Sequence, residues 1–173
     1  MPDLKTVNLL LGNSEGRVSN LIEALVRDVC DNRAVVHCTR ATGLDEFNRQ
    51  VSEEKFDLVI LIPEKLLPTP NCRNCRGCYA GAADAIRAIK GQGPTPTLAV
   101  AVPPQHQAVL SEAGADCVLD LPFKCEQVKS SVRQLLHLAL SSVEEPAAED
   151  PSEAPQPQGR GFLSWFQGLV GNN

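Results

Sequence analysis

Three evenly spaced cysteines are the residues of this chain best suited to chemistry. Cys72, Cys75 and Cys78 form a C-x2-C-x2-C motif within residues 63–79, a segment that also holds three prolines. Two residues between successive thiols allow each thiolate to turn toward one centre. Three thiolates are three of the four ligands that a tetrahedral zinc site or an iron–sulfur cluster requires.

The cysteine motif resembles the first three ligands of bacterial ferredoxin clusters, although the C-x3-C-P that completes that pattern does not follow. An iron–sulfur cluster and zinc both stay open as cofactors, and a metal-free loop that carries thiols is a third interpretation. Arg73 and Arg76 lie between the cysteines, where their charge would either lower the thiol pKa values or merely solvate the loop.

Composition indicates one globular domain with a tail. The chain has 173 residues, 43% hydrophobic and 21% charged, which is enough apolar material for a core. Aromatic residues make up only 4%, which favours aliphatic α/β layers over an aromatic-rich barrel. The net charge of −5 comes from five acids within residues 144–158, so the basic stripe of a duplex-binding protein is missing and no nucleic-acid partner is expected.

Targeting signals are not evident in the sequence. The first residues lack the pattern of a signal peptide, and no run approaches the ~18 apolar residues of a membrane span. We therefore expect a cytoplasmic protein. Seven cysteines in such a chain favour thiols, metal ligands or redox centres over a disulfide framework.

Apolar patterns predict five strands that alternate with five helices. The predicted strands are residues 5–11, 34–38, 57–62, 97–102 and 116–120. The predicted helices are residues 17–30, 43–54, 80–90, 105–113 and 126–140. Right-handed crossovers place helices on both faces, so this alternation predicts an α/β fold with a doubly wound parallel sheet.

The first predicted helix has an apolar face and a candidate N-terminal cap. Its apolar residues recur at intervals of three and four, and Ser14 or Glu15 lies where a capping residue is expected. The members of this face are Val18, Leu21, Ile22, Leu25, Val26 and Val29.

The fourth ligand of a metal site is expected to be Cys125. The cysteine loop and Cys125 both follow strands at the carboxyl edge of the predicted sheet, and only one strand separates those two. Cys38 is expected at the same edge, after the second strand. His37 and His106 are conceivable ligands, although an isolated histidine is more often a surface or capping residue. The two cysteines expected to be structural are Cys30 and Cys117.

The C-terminal part of the predicted domain resembles a known family. Residues 113–136 read AGADCVLDLPFKCEQVKSSVRQLL and resemble the end of a response-regulator receiver domain, where a Gly-Ala-Asp helix end precedes strand five and Pro-Phe opens helix five. With DLVILI at strand three, the resemblance covers residues 4–140. It implies the flavodoxin-like strand order 2-1-3-4-5.

The resemblance also implies that the catalytic positions of a receiver are vacant. Active receivers carry an acidic pair that holds Mg²⁺, an aspartate nucleophile, a hydroxyl residue and a lysine. The matching positions are Gly12 and Asn13 or Asn13 and Ser14, then Ile62, Ala101 or Val102, and Leu121. An alkyl side chain cannot accept a phosphoryl group, and Mg²⁺ is not expected without paired carboxylates. Only Glu15 and Asp120 remain nearby, so we expect a degenerate pseudo-receiver that is not an enzyme.

The last part of the chain reads as a tether with a docking helix. Residues 142–160 form an acidic, proline-rich linker, and residues 161–171 carry one wide apolar face. That face consists of Phe162, Leu163, Trp165, Phe166, Leu169 and Val170. A protein groove is the favoured target. A membrane surface is less favoured because Arg160 is the one base nearby, and packing onto its own domain is a further alternative.

Two functions are expected from these features. The first is a phosphorylation-independent signalling or assembly adaptor, in which residues 1–141 form the receiver-like domain. It would bind proteins through the tail helix and through the fourth helix, fifth strand and fifth helix, as receivers do. The alternative is a metal- or iron–sulfur-based redox sensor that uses the cysteine loop. A cysteine-dependent enzyme lacks an evident His and carboxylate arrangement.

Overall fold

A single parallel sheet organises the protein, whose computed structural model describes residues 5–12, 16–66 and 76–141. The five strands pair in the order β2-β1-β3-β4-β5, all parallel. Their bounds are β1 Lys5–Gly12, β2 Ala34–Ala41, β3 Leu58–Leu61, β4 Thr97–Val102 and β5 Cys117–Asp120. The predicted fold class and strand order are confirmed.

Helices cover both faces of this sheet. Among the described residues they are α1 Arg17–Cys30, α2 Leu44–Glu53, α3 Pro63–Leu66, α4 Arg76–Gln92, α5 Pro104–Glu112 and α6 Cys125–Ser141, with a 3-10 turn at Asp31–Arg33. Helices α1 and α6 pack together on one face, whereas α2, α4 and α5 pack on the other. Right-handed crossovers between parallel strands produce this two-sided arrangement.

The central strand β3 divides the core into two layers. Val59 and Leu61 belong to the layer under α2, α4 and α5, and Leu58 and Ile60 belong to the layer under α1 and α6. Successive residues of a strand point to opposite faces, so a strand covered on both sides must be apolar throughout. All four side chains are at most 1% exposed, as the run DLVILI predicts.

The segment 63–79 contains more helix than the sequence predicts. Helix α3 begins at Pro63, where proline is tolerated because the first helical N–H has no intrahelical partner. Helix α4 begins at Arg76, so Cys78 lies in its first turn rather than in a loop. The reason is tertiary: Tyr79 is 1% exposed and packs against α5, which a sequence pattern of small residues does not reveal.

Strand β2 is longer than predicted. Its eight residues pair one by one with those of β1, from Lys5 opposite Ala34 to Gly12 opposite Ala41. Pairing with β1 carries the strand past the polar residues at which the apolar pattern stops. Cys38 therefore lies inside β2, opposite Leu9, and not after the strand at the carboxyl edge.

Helix α1 differs from prediction in its cap and in its buried face. The N-cap is Gly16, which makes no side-chain capping hydrogen bond. Val18 and Leu21 are each 40% exposed, although the sequence pattern predicts them on the buried face. The apolar face of α1 is wider than the surface that the sheet covers. The side of this face with Ile22 and Val26 packs on the sheet, and the side with Val18 and Leu21 is exposed.

Candidate functional site

The carboxyl edge of the sheet is where the receiver-like positions meet. Parallel strands end together at one edge, and open α/β sheets bind their ligands there. Gly12 ends β1, Ile62 follows β3, Val102 ends β4 and Leu121 follows β5. The sheet therefore brings together the positions that the sequence comparison with receivers singled out.

The space beside Gly12 is filled by apolar side chains. A Cβ atom built on Gly12 would lie 2.7 Å from Cδ1 of Leu66 and 2.9 Å from Cδ2 of Phe47. Both of these side chains are 0% exposed. Helices α2 and α3 thus occupy the volume that a carboxylate at this position would need.

Ile62 closes the edge between β1 and β3. Its N–H donates to the carbonyl oxygen of Gly12 at 3.0 Å, which continues the pairing of the two strands by one residue. Its side chain is 4% exposed and belongs to the core layer under α1 and α6. The residue that the resemblance to receivers implies at the nucleophile position is therefore an alkyl group buried in the core.

Strands β4 and β5 end in backbone irregularities. Ala101 adopts a left-handed φ of 62°, at a shift in the register between β4 and β5. Leu121 precedes Pro122 through a cis peptide bond, and its side chain is 52% exposed. Asp120 accepts a hydrogen bond from the side-chain amide of Gln107 on α5.

Magnesium does not fit the residues described at these positions. Mg²⁺ requires an octahedron of hard oxygen ligands, usually with one or two carboxylates. The side chains of Gly12, Ile62, Ala101, Val102 and Leu121 supply no oxygen. Among the described residues, no group of three or more His, Cys, Asp and Glu side chains is arranged to hold a metal ion.

The predicted metal ligands are only partly covered by the described residues. Cys72 and Cys75 lie outside them, while Cys78 lies on α4 and Cys125, the first residue of α6, is exposed. Because helices run back from the carboxyl edge, α4 and α6 both begin there. They begin on opposite faces of the sheet, so a site that contains both cysteines would have to bridge its edge.

Cys38 and Cys30 sit in environments that disfavour thiolates. Burial raises the pKa of the Cys38 thiol to about 11, and the nearby Glu23 carboxylate adds to this effect. Burial likewise raises the pKa of Cys30, which is 6% exposed at the end of α1. Cys117 begins β5 and its thiol donates to the Ser131 hydroxyl at 3.3 Å. Cys30 and Cys117, for which the sequence predicts structural roles, lie at the end of α1 and at the start of β5.

His106 lies closer to the cysteine motif than the sequence suggests. Its ring stacks on Tyr79 with centroids 4.0 Å apart and an interplanar angle of 12°. Tyr79 directly follows Cys78 in the first turn of α4, and α5, which carries His106, packs beside α4 on the same face. This contact joins elements that lie 27 residues apart, and no spacing rule in the sequence reveals it.

The tail residues predicted to bind a partner fall beyond the described part of the chain. They are Phe162, Leu163, Trp165, Phe166, Leu169 and Val170. Within the described part, no helix is both long and apolar enough to cross a membrane.

An ion-pair network between α1 and β2 is the main polar feature that the sequence analysis missed. Glu23 accepts from Arg40 at 2.5 Å and from Arg27 at 2.8 Å, and Arg40 also donates to Asn20 at 2.9 Å. The Arg40 guanidinium holds the pKa of Glu23 below its usual range, although burial opposes this shift. An i,i+4 spacing of Glu23 and Arg27 is visible in the sequence, but the link to Arg40 depends on the fold.

Comparison with known proteins identifies the fold. No family model and no curated protein matches the chain. Among solved structures, the receiver domain of the sensor histidine kinase PA1611 from Pseudomonas aeruginosa, which holds a magnesium ion in its active-site cleft, shares 19% identity. Its TM-score is 0.57, over 76% of this chain and 98% of that domain.

Two further structures give similar values. The receiver domain of the Francisella response regulator 1452 shares 13% identity at a TM-score of 0.57, over 76% of this chain and 98% of its own. NtrX from Brucella abortus shares 15% identity at a TM-score of 0.59, over 80% of this chain and 29% of NtrX. The chain thus has the fold of response-regulator receiver domains.

Proposed function

We propose that this protein is a phosphorylation-independent pseudo-receiver that works as a signalling or assembly adaptor and not as an enzyme. The observation that carries the proposal is the apolar carboxyl edge. Phe47 and Leu66 fill the space beside Gly12, and Ile62 is buried where a receiver presents its nucleophile. A receiver fold without an oxygen nucleophile cannot accept a phosphoryl group, which leaves contacts with other proteins as the function that we propose.

Two surfaces are candidates for partner contacts. One is the face formed by α5, β5 and α6, where Val109 is 38% exposed and Leu121 is 52% exposed. Exposed large apolar side chains near a sheet edge suit a protein interface, whose core excludes charged residues. The other is the apolar face of the tail helix, residues 162–170, on its acidic tether.

A phosphodonor experiment tests the loss of phosphoryl transfer. The full chain is incubated with acetyl phosphate and Mg²⁺, with an active receiver domain as the positive control, and both are measured by intact-protein mass spectrometry. We expect a hydroxylamine-sensitive adduct on the control and none on this chain. An acyl phosphate on this chain would show that another carboxylate, such as Asp120, has taken the nucleophile's role.

A binding experiment tests the role of the tail. The full chain and a chain that ends at residue 158 are used as bait, and each is also mixed with anionic liposomes. Trp165→Ala with Phe166→Ala changes the apolar face, and Gln167→Ala is the matched control on the polar face. The proposal is supported if the variant with Trp165→Ala and Phe166→Ala loses one specific partner and the Gln167→Ala control keeps it. If liposome binding is lost instead, the tail is a membrane anchor, and if neither changes, the docking role is wrong.

A metal- or iron–sulfur-based redox sensor is the second candidate. Besides the C-x2-C-x2-C motif, the position of Cys78 in the first turn of α4 favours it, because a helix N-terminus stabilises thiolates. Iron, zinc and acid-labile sulfide are measured on protein purified without oxygen, and on Cys75→Ser. Iron and sulfide that are both lost in Cys75→Ser would support the redox sensor. Zinc would support a structural metal site, and a metal-free protein would leave the adaptor as the one remaining candidate function.

The fourth ligand can be identified in the same assay. Cys125→Ser removes the ligand that the sequence favours, and His106→Gln removes the side chain that lies beside the first turn of α4. If metal content falls in only one of these variants, that residue completes the site. If both variants retain the metal, the fourth ligand is a group other than Cys125 and His106.

A further inference from the structure

An open groove lies at the amino edge of the sheet, opposite to the edge described above. It has a volume of about 580 Å³ and lies between the end of α2, the residues before β3 and the turn between α4 and β4. Val51, Val59 and Ile89 form its apolar floor, and each is at most 6% exposed. The volume is within the ~300–1,000 Å³ range of ligand pockets.

The rim of the groove is negatively charged. Glu53 and Glu54 are exposed, Asp57 is half-buried, and Lys55 is the one base among the lining residues. Helices α2 and α4 both end here, and the C-terminal carbonyls of a helix carry about half a negative charge. The last turn of α2 has no basic residue to offset this charge.

Lys90, the basic residue in the last turn of α4, already forms an ion pair. The ammonium group of Lys90 donates to Asp116 at 2.5 Å and to the Thr95 carbonyl oxygen at 2.8 Å. It therefore holds the start of β5 to the turn before β4. Its charge is neutralised by Asp116 and is not available to balance the acids of the rim.

The walls of the groove are held by hydrogen bonds between strands. The Asn8 N–H donates to the Asp57 carboxylate at 2.8 Å, and the Asp57 N–H donates back to the Asn8 carbonyl oxygen at 2.9 Å. The Val59 N–H donates to the Pro96 carbonyl oxygen at 2.9 Å. Strand pairing thus fixes Asp57 of the rim and Val59 of the floor, and this preorganisation lowers the entropic cost of binding.

We propose that this groove docks a basic, apolar peptide segment of a partner protein. A lysine or arginine head group would lie at Glu53, Glu54 and Asp57. A neighbouring aliphatic side chain would contact Phe56 and Pro96, which line the groove and are half-buried. Charge complementarity selects this occupant, since arginine and lysine pair with carboxylates and helix C-termini. The chain's own tail is a poorer occupant because its one base, Arg160, follows residues 144–158, which carry five acids and no base. The inference goes beyond the adaptor role, since it requires neither the tail nor the carboxyl edge.

Amide NMR shifts of the full chain test the proposal. The probe is an acetylated leucine–arginine dipeptide amide, compared with the same dipeptide in which neutral citrulline replaces arginine. We expect shifts confined to the amides of residues 53–57, 92, 93 and 95, with an affinity up to about fivefold weaker for the citrulline probe, as loss of an exposed charge pair predicts. Equal binding of both probes would overturn the charge argument.

Matched variants separate the groove from general acidity. Glu53→Gln with Glu54→Gln should weaken the arginine probe about fivefold, whereas Asp45→Asn with Glu126→Gln removes the same charge from first helical turns at the opposite edge and should not. The proposal is overturned if the shifts of the first variant are undiminished. It is also overturned if the unaltered chain shows no shifts at about 20 mM probe, a concentration above the millimolar Kd expected of a small ligand. If deletion of residues 159–173 alone moves the groove signals, the tail occupies it and the peptide proposal is wrong.

Discussion

Gly12 illustrates how one residue decides the character of the carboxyl edge. Its missing side chain allows Phe47 and Leu66 to pack directly against the end of β1. Protein interiors are packed as densely as organic crystals, so this volume cannot hold both those side chains and a further group. The glycine at position 12 is therefore required by the packing of the core.

Alanine at position 12 should destabilise the protein by about 1–3 kcal/mol, because its Cβ would overlap two buried side chains. Alanine at Gly91, inside α4 with open space around it, should instead raise the free energy of unfolding by up to about 1 kcal/mol. Urea unfolding of both variants measures this contrast. Equal stability of Gly12→Ala and the unaltered chain would mean that the edge is not packed as described.

Thiol environments differ enough to predict the order in which the cysteines react. Cys125 is exposed, whereas burial raises the pKa values of Cys38 and Cys30. Iodoacetamide near neutral pH attacks the thiolate, so Cys125 should be modified at least about tenfold faster than the other two. Peptide mapping over time measures the three rates. Fast modification of Cys38 would show that β2 opens readily to solvent.

At the scale of elements, α1 is joined to β2 by polar contacts as well as by the core. Glu23 on α1 bonds Arg40 near the end of β2 and Arg27 one turn along the helix. The Glu23 side chain is 17% exposed, so these contacts are screened less than surface ion pairs. The network secures the edge strand β2, which pairs only with β1 in the described sheet.

Glu23→Gln should lower the free energy of unfolding by about 1 kcal/mol at pH 7, since it removes charge-assisted hydrogen bonds. Arg40 keeps the pKa of Glu23 lower in the folded than in the unfolded chain, so this stabilisation is fully present above the ordinary glutamate pKa of ~4.3. It is lost as the pH falls through the lower folded value. Urea unfolding at several pH values measures the difference, with the exposed Glu112→Gln as control. A pH-independent difference would assign the effect to packing.

At the scale of the whole molecule, the chain divides into a domain and a tail of different composition. The described sheet and helices end with α6 at Ser141, and the next residues are rich in proline and acid. We propose residues 142–160 as a linker and residues 161–171 as a docking helix. A proline-rich, charged linker is extended at about 3.1 Å per residue, so residues 142–160 would give the helix a reach of up to roughly 60 Å from the domain.

Limited proteolysis tests this division. A glutamate-specific protease should cut first at Glu144, Glu145, Glu149 or Glu153, and should leave a resistant fragment of about residues 1–144. Mass spectrometry of a time course identifies the first cuts, and the thermal unfolding temperature of the fragment should match that of the full chain. First cuts within α2 or α6, or a lower unfolding temperature, would indicate that the tail packs against the domain.

The local patterns of the sequence were sufficient for most of the fold. Residues 17–30 and 97–102 match the bounds of α1 and β4, because helical periodicity and a continuous β-rich run are properties of neighbouring residues. The strand order came from the resemblance of residues 113–136 and of DLVILI at strand three to receivers. Local patterns did not predict the boundaries that depend on contacts with other elements, such as the end of β2 and the start of α4.

The sequence by itself determined which residue types stand at the positions that the resemblance to receivers implies as catalytic. It could not determine what fills the space around them: Phe47 and Leu66 reach Gly12 from α2 and α3, and His106 reaches Tyr79 from α5. The tertiary structure also placed α4 and α6 on opposite faces of the sheet and assembled the acidic groove from three separate segments. The physical reason is that a pattern along the chain records short-range geometry, whereas contacts between elements depend on how the whole sheet is packed.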